Sequence, residues 1–332
     1  MAKNDGVVGI YAAHGKMIFA MIKGKDIKSA WVDVPDNIVK NGEIVSKNLL
    51  AQLIKDTLKE HGIRTKKSAF VIAGDQVLIR DLKVPKMTEE QLRYNLPFEF
   101  RDFIRGELKD YLFDYAYRPA LDGETPSQDE GLNLLGVAIP AAYYNTLNEI
   151  TQMAGLKLVK AQPEVCVLEA FLKKLDSKEE RNKERCFLDI GNTTTRMQVF
   201  KNGRYKLSHI IDIGEKHIVQ TIADHKNVDM ELARTYLRTN FEDCTNAEEV
   251  KAAYRDISVE ILKGFNFYEM SDMSSRLADV VLYGSGANIA PLVEILKERL
   301  GMNVVTMAEL YSQYNGNDNL NITADAIGVL FE

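Results

Sequence analysis

One stretch of the chain gathers residues able to handle a phosphate. Phe187, Leu188, Asp189 and Ile190 are followed by Gly191, Asn192, Thr193, Thr194 and Thr195. A buried strand that ends in a carboxylate and enters a turn of glycine, amide and hydroxyl residues can aim backbone N–H groups and hydroxyls at an anion. The Asp189 carboxylate can hold a magnesium ion, directly or through its waters. The same residue types also make an ordinary β-hairpin turn. A second stretch, Tyr283, Gly284, Ser285, Gly286, Ala287 and Asn288, joins a strand to a helix. Glycine there lets backbone approach a flat or anionic ligand, although any tight strand-to-helix turn needs glycine. It is not a G-x-G-x-x-G motif, because Ile289 holds the sixth position. Together the two turns nominate Asp189, Gly191, Asn192, Thr193, Thr194, Gly284, Ser285 and Gly286 as ligand-binding residues, with Asp189 also the candidate metal ligand.

These turns need strands and helices to hold them. Segments 7–12, 16–22 and 27–34 read as three strands, with a turn at Lys23, Gly24, Lys25 and Asp26. Ser46 caps a helix whose apolar stripe is Leu49, Leu50, Leu53, Ile54 and Leu58, and Gly62 lies past its end. Segments 69–73 and 77–84 are further strands. Thr88 and Gln91 have capping-box spacing, so a helix starts there, and Pro97 interrupts it. Segment 122–131 reads as a mobile loop, 132–139 as a buried strand and 141–154 as a helix opened by Pro140. Segment 177–185 is charged and nearly free of apolar residues, which suggests a solvated domain boundary.

After that boundary the opening pattern returns. Segments 186–190, 195–200 and 205–213 read as strands separated by polar turns. A helix at 247–268 carries Val250, Tyr254, Ile257, Ile261, Phe265 and Tyr268 on one stripe, read as core packing. A strand at 280–283 and a helix at 289–300 complete it. Three strands and then a helix, met twice, indicate an internally duplicated α/β chain with a ligand cleft between its halves.

Composition narrows the chemistry. The chain has 332 residues, enough for about two domains. A formal net charge of −6 argues against a nucleic-acid binder with a strong basic footprint. The three cysteines, Cys166, Cys186 and Cys244, are scattered, which excludes a disulfide scaffold and a thiolate zinc site and fits a reducing compartment. No apolar run reaches the length of a membrane span. P-loop, G-x-S-x-G and H-E-x-x-H motifs are absent from the sequence.

Taken in order, the LDIGNTTT turn at 188–195 and the LYGSGANIAPL turn at 282–292 resemble the actin-like nucleotide-binding fold. Within it the chain resembles the cell-division protein FtsA and, more closely, the type IV pilus assembly family PilM. The closer resemblance spans nearly the whole chain. It runs through Asn41, Gly42, Glu43 and Ile44, the stretch from Arg80 to Glu90, Ala154, Gly155 and Leu156, Ile213 and Gly214, and the Gly284 turn. It implies an actin-like (ribonuclease H-like) duplicated two-lobed α/β fold. Residues 1–83 and 156–180 would form the first lobe, 84–155 a small inserted α+β subdomain, and 186–332 the second lobe.

The resemblance also implies ATP or ADP with magnesium as cofactor, and a cytoplasmic scaffold at the inner face of the cell membrane. Its partner would be PilN, a bitopic membrane protein whose short cytoplasmic peptide docks beside the inserted subdomain. Oligomers are compatible with it. Two departures are visible. Laid on the second half, Asp189 falls opposite Tyr11 and Gly191 opposite Ala13, so the first turn lacks its acid. The family's A-E-x-x-K helix reads Ala233, Arg234, Thr235, Tyr236, Leu237, with Arg238 next. The nucleotide site is therefore expected to be partly degenerate and turnover absent or very slow. A working slow ATPase and an FtsA-like division protein are the rival readings.

Overall fold

The computed structural model describes residues 6–13, 15–24, 26–35, 37–40, 43–118, 131–271, 276–312 and 319–331. β1 (Val7–Ala13), β2 (Lys16–Lys23) and β3 (Asp26–Asp33) form an antiparallel meander. A small ribbon, β4 (Val39–Lys40) and β5 (Glu43–Ile44), precedes α1 (Lys47–Glu60) and β6 (Lys67–Ile72). An insertion follows, built from β7 (Leu78–Val84), α2 (Glu89–Asn95), β8 (Tyr111–Tyr117) and β9 (Leu132–Pro140). The chain returns through α3 (Ala141–Met153), β10 (Lys157–Pro163) and α4 (Glu164–Leu175).

A short α5 (Lys178–Arg181) leads to a second meander, β11 (Arg185–Ile190), β12 (Thr195–Lys201) and β13 (Arg204–Ile211). Then come α6 (Glu215–Lys226), α7 (Met230–Thr239), α8 (Glu248–Ser271), β14 (Asp279–Tyr283), α9 (Ala290–Arg299), β15 (Asn303–Thr306), α10 (Met307–Leu310) and α11 (Leu320–Gly328).

The two large sheets have the same design. The first has the order β10-β6-β1-β2-β3 and the second β13-β12-β11-β14-β15. In each, the first strand of the meander also pairs in parallel with a later strand, β1 with β6 and β11 with β14. This is the duplicated two-lobed architecture that the repeat in the sequence implies. The insertion forms its own sheet, β7-β9-β8, around Leu92, Leu96, Phe100 and Leu134.

Local signals explain the boundaries. The Ser46 hydroxyl accepts from Leu49 N–H and opens α1. Thr88 and Gln91 form a reciprocal capping box at α2, and the helix gives way to a 3₁₀ turn over Leu96–Phe100 that contains Pro97. The stripe on α8 lies in the core, with Val250, Tyr254, Ile257 and Ile261 fully buried. Helices α4 and α11 sit between the two sheets. Val167 and Phe171 on α4 and Ala324 and Ile327 on α11 pack with Val7, Ile18 and Val71 of the first sheet and Phe187, Phe200 and Val281 of the second. Burial of each such large side chain is worth about 1.5–3 kcal/mol, so this middle layer fixes how β1 and β11 face each other.

In the 177–185 segment Ser177, Glu179, Asn182 and Lys183 are exposed, while the last two residues, Glu184 and Arg185, are buried. Arg185 is 2% exposed and is held by Asp176 at 2.6 Å, Glu180 at 3.1 Å and Asp279 at 3.5 Å. Buried Glu184 accepts from the Tyr268 hydroxyl at 2.5 Å. These two charged residues enter the interior because fixed partners neutralise them. The loop expected at 122–131 lies outside the described residues except for Gly131.

Candidate functional site

β1 and β11 end at the same cleft. Its cavity, of about 570 Å³, is lined from the first lobe by Tyr11, Gly15, Lys16, Ile18 and Asp33. The second lobe contributes Asp189, Gly191, Asn192, Gly284 and Ser285 from the two turns. Helices α6 and α7 add Glu215, Glu231, Arg234 and Arg238, and α11 adds Asp325. The volume is that of an ordinary small-ligand site. Five of the eight residues named from the sequence thus share one cavity. Thr193, Thr194 and Gly286 are not among its lining residues.

The turn chemistry is partly committed to the fold. Gly191 N–H donates to Thr194 C=O at 3.0 Å, and the carbonyls of Gly191 and Asn192 accept from Glu215 and Lys216 N–H at 2.9 and 2.7 Å. The first N–H groups of α6 therefore bind the turn itself. The Thr195 hydroxyl donates to Ile213 C=O at 2.8 Å. Across the cleft floor, Gly284 has φ +82°, and a Cβ there would lie 2.2 Å from Asp189 Oδ1. A Cβ on Gly286 would lie 2.3 Å from Ile190 Cγ2. Both glycines are needed for the second turn to pack against the end of β11.

Beneath the cleft lies a buried charge cluster that the sequence reading missed. Register pairs Asp189 of β11 with Arg196 of β12, so the two side chains share a face of the sheet. Arg196, 6% exposed, donates through Nη1 to Glu164 Oε2 and, at 3.3 Å, to the Tyr11 hydroxyl oxygen. The same Nη1 lies 3.8 Å from Asp189 Oδ2. Glu164, fully buried at the start of α4, accepts on its other oxygen from the Tyr283 hydroxyl at 2.8 Å. The Glu164 carboxylate raises the Arg196 pKa further and keeps the guanidinium charged. Burial, followed by Glu164, pushes the hydroxyls of Tyr11 and Tyr283 well up, so both are neutral. Burial and then the charges of Glu164 and Asp189 push the Asp325 carboxyl well above the usual range.

A signal for this cluster was available. A four-residue turn at 191–194 makes Ile190 face Thr195, and therefore Asp189 face Arg196. Glu164 and Asp325 carried no such local mark, because they arrive on helices from distant parts of the chain. Arg234 stands at the glutamate position of the A-E-x-x-K pattern and Arg238 one residue beyond its lysine position, which Leu237 holds; both arginines line the cleft. Arg234 pairs with Glu231 at 3.1 Å and Arg238 with Asp33 at 3.9 Å.

Gly191 and Gly284 line the cleft, with their N–H groups bonded to the Thr194 and Asn321 carbonyls at 3.0 and 2.7 Å. The donor set fits magnesium poorly. Asp189, the candidate metal ligand, already faces the Arg196 guanidinium at 3.8 Å.

A second cavity, of about 660 Å³, runs between the insertion and the first lobe. Its walls are two edge strands, β8 of the three-stranded sheet and β10 of the first large sheet. Leu112 on β8 and Val159 on β10 are 42% and 44% exposed along it. Gln162 Oε1 is buried there without a hydrogen-bond partner. The alternation Tyr111, Phe113, Tyr115 inward and Leu112, Asp114, Ala116 outward is a strand signal that was legible in the sequence and not used.

Comparison with known proteins gives a consistent picture. The profile of the type IV pilus assembly protein PilM family matches residues 26–324. No curated protein matches by sequence. Among solved structures, a PilM–PilN type IV pilus biogenesis complex is similar with a TM-score of 0.80 at 18% identity, covering 98% of each chain. The ethanolamine utilization protein EutJ of Carboxydothermus hydrogenoformans is similar at TM-score 0.58 and 14% identity, covering 98% of this chain and 89% of that one. A Bacteroides thetaiotaomicron protein with an actin-like ATPase fold and unknown function follows at TM-score 0.50 and 12% identity, covering 99% and 96%. The fold is thus actin-like.

Proposed function

This chain belongs to the type IV pilus assembly protein PilM family, and from that premise we propose that it is a scaffold which docks a PilN-like membrane protein through the groove between its insertion and first lobe. The observation that carries the reading is the likeness to the PilM–PilN complex over 98% of both chains. The groove supplies the chemistry. Two open strand edges offer main-chain hydrogen bonds to an extended peptide, and apolar side chains between them give pockets for alternate residues. The Gln162 carbonyl oxygen is an acceptor left for the peptide. Among the described residues no helix is long and apolar enough to cross a membrane, so the partner supplies the membrane attachment at the cytoplasmic face.

In the same reading the cleft between the lobes is a partly degenerate nucleotide pocket that binds ADP or ATP and turns over slowly or not at all. Phosphoryl transfer depends on positioned charge around the phosphates, and Tyr11 brings none from the first lobe.

The test uses a synthetic peptide of the cytoplasmic N-terminus of the bitopic protein encoded beside this chain, titrated calorimetrically. Leu112→Asp and Val159→Asp, both at exposed positions, are expected to weaken binding at least about tenfold, the 1.4 kcal/mol of a modest interface anchor. Binding unaffected by both variants overturns the groove. Steady-state turnover of magnesium-ATP at about 1 s⁻¹, an ordinary enzyme rate, lost in Asp189→Ala, overturns the scaffold assignment of the cleft.

A further inference from the structure

We propose that Arg196 is a resident counter-cation of the cleft floor, placed where a divalent metal would otherwise neutralise Glu164 and Asp189, so that the cleft receives an anionic ligand without magnesium. The part about the ligand rests on reading the cleft as a nucleotide pocket; the exclusion of metal does not.

The guanidinium sits among oxygens as a cation would. Glu164 Oε2, the Tyr11 hydroxyl and Asp189 Oδ2 surround Nη1, the last two at 3.3 and 3.8 Å. A divalent ion of the magnesium or manganese type takes octahedral oxygens at about 2.0–2.1 Å, one or two of them from carboxylates and the rest from water or phosphate. The acids that could supply them are Glu164 from α4, Asp189 from β11 and Asp325 from α11. Arg196 already holds the first and faces the second. Asp325 is 2% exposed on the α11 side of the same cleft. A metal brought beside this site would also meet the repulsion of a buried positive charge.

The duplication supports the same reading. At the position related to the Asp189–Arg196 pair, the first lobe pairs Tyr11 with Ile18. At this register position the cleft therefore has one carboxylate beside a cation, not an acid from each lobe facing the other across a gap. Tyr11 and Arg196 act together: a neutral hydroxyl accepts from a monovalent cation, where an acid at position 11 would add a further anion to Glu164 and Asp189.

The native full-length chain is titrated with Mn²⁺ and followed by electron paramagnetic resonance. No stoichiometric site is expected up to roughly millimolar metal, the weak end of protein cation sites. Arg196→Met, which removes the charge and keeps the bulk, is expected to gain an Mn²⁺ site and to be stabilised by the metal. Arg196→Lys is expected to gain none. Should Arg196→Met fail to fold, the native and Arg196→Lys titrations decide the matter. Stoichiometric Mn²⁺ on the native chain that Asp189→Asn abolishes overturns the proposal. In a second arm, ADP is expected to raise the melting temperature equally in EDTA and in magnesium. A shift that needs magnesium overturns the proposal. No shift in either condition refutes the nucleotide pocket alone, and the Mn²⁺ result still decides the exclusion of metal.

Discussion

Tyr11 with Ile18 and Asp189 with Arg196 hold the same register in two copies of one fold. One pair is neutral; the other is an anion with its cation. Both strands end at the cleft, and both are packed against the layer formed by α4 and α11. The fold therefore requires close-packed strand ends there and not a particular charge. What the difference decides is chemistry. An actin-like cleft with an acid from each lobe would draw in a metal, whereas here the acid of the second lobe already faces a buried arginine and the first lobe brings a neutral hydroxyl at that position. Two further turns at the cleft, which are not duplicates of each other, also differ in how tightly they pack. Gly15 in the first lobe has φ +82° and open space around its missing Cβ, while Gly284 in the second has the same φ and Asp189 Oδ1 pressed against it.

The strongest way to break the contrast is to remove the anion that anchors the arginine. Glu164→Ala leaves Arg196 buried with only the more distant Asp189 opposite. Breaking a buried ion pair on one side costs about 3–5 kcal/mol. Denaturant unfolding is expected to show a loss of that order, and Glu164→Ala combined with Arg196→Met is expected to lose less than the sum of the two single variants. Additive losses would mean that the pair is not a unit.

The two glycines sharpen it next. Gly15→Ala is expected to cost about 1–2 kcal/mol, the strain of a left-handed conformation for a residue with a Cβ. Gly284→Ala carries that strain and also displaces Asp189, so its cost is expected to exceed Gly15→Ala by at least about 1 kcal/mol, the scale of overpacking. Equal losses in the melting curves would show that the second turn yields, and that its closeness to Asp189 is incidental.

Much of the architecture was legible because periodicity and punctuation are local. The Thr88 capping box, the Pro97 break and the α8 stripe each lie within a few residues, and each defines its element. The duplication was legible because three strands of the same kind recur. The floor of the cleft was not. Glu164 and Asp325 look like helix residues among others, and only the crossing of α4 and α11 between the sheets brings them to Asp189. Arg185 was misjudged for a related reason, since its partners Asp176 and Asp279 come from both sides of the chain. Long-range charge pairing has no sequence period.

The smallest expected effect tests the two crossing helices against each other. Each brings one carboxyl to the floor, Glu164 from α4 and Asp325 from α11. Glu164 has Arg196 and the Tyr283 hydroxyl as partners. Asp325 has a buried Oδ1 without a hydrogen-bond partner. Its pKa is raised first by burial and then by Glu164 and Asp189, so the folded chain binds this proton more tightly than the unfolded chain, where an aspartate releases it near pH 4. Below that pH both states carry the proton and the site's contribution to stability is complete. As pH rises, the unfolded state releases the proton and the folded state keeps it, so stability falls, by at most about 1.4 kcal/mol per pH unit, until the folded pKa is passed. Asp325→Asn is nearly isosteric and cannot ionise. The difference in unfolding free energy between Asp325→Asn and the native chain is expected to be constant below about pH 3.5, where aspartate is mostly protonated, and to shift in favour of the variant as pH rises toward 7. A difference that stays flat across this range would place an ionised Asp325 beside Glu164 and Asp189. Arg196 would then face three anions in place of two, and the cleft floor would be open to a further cation.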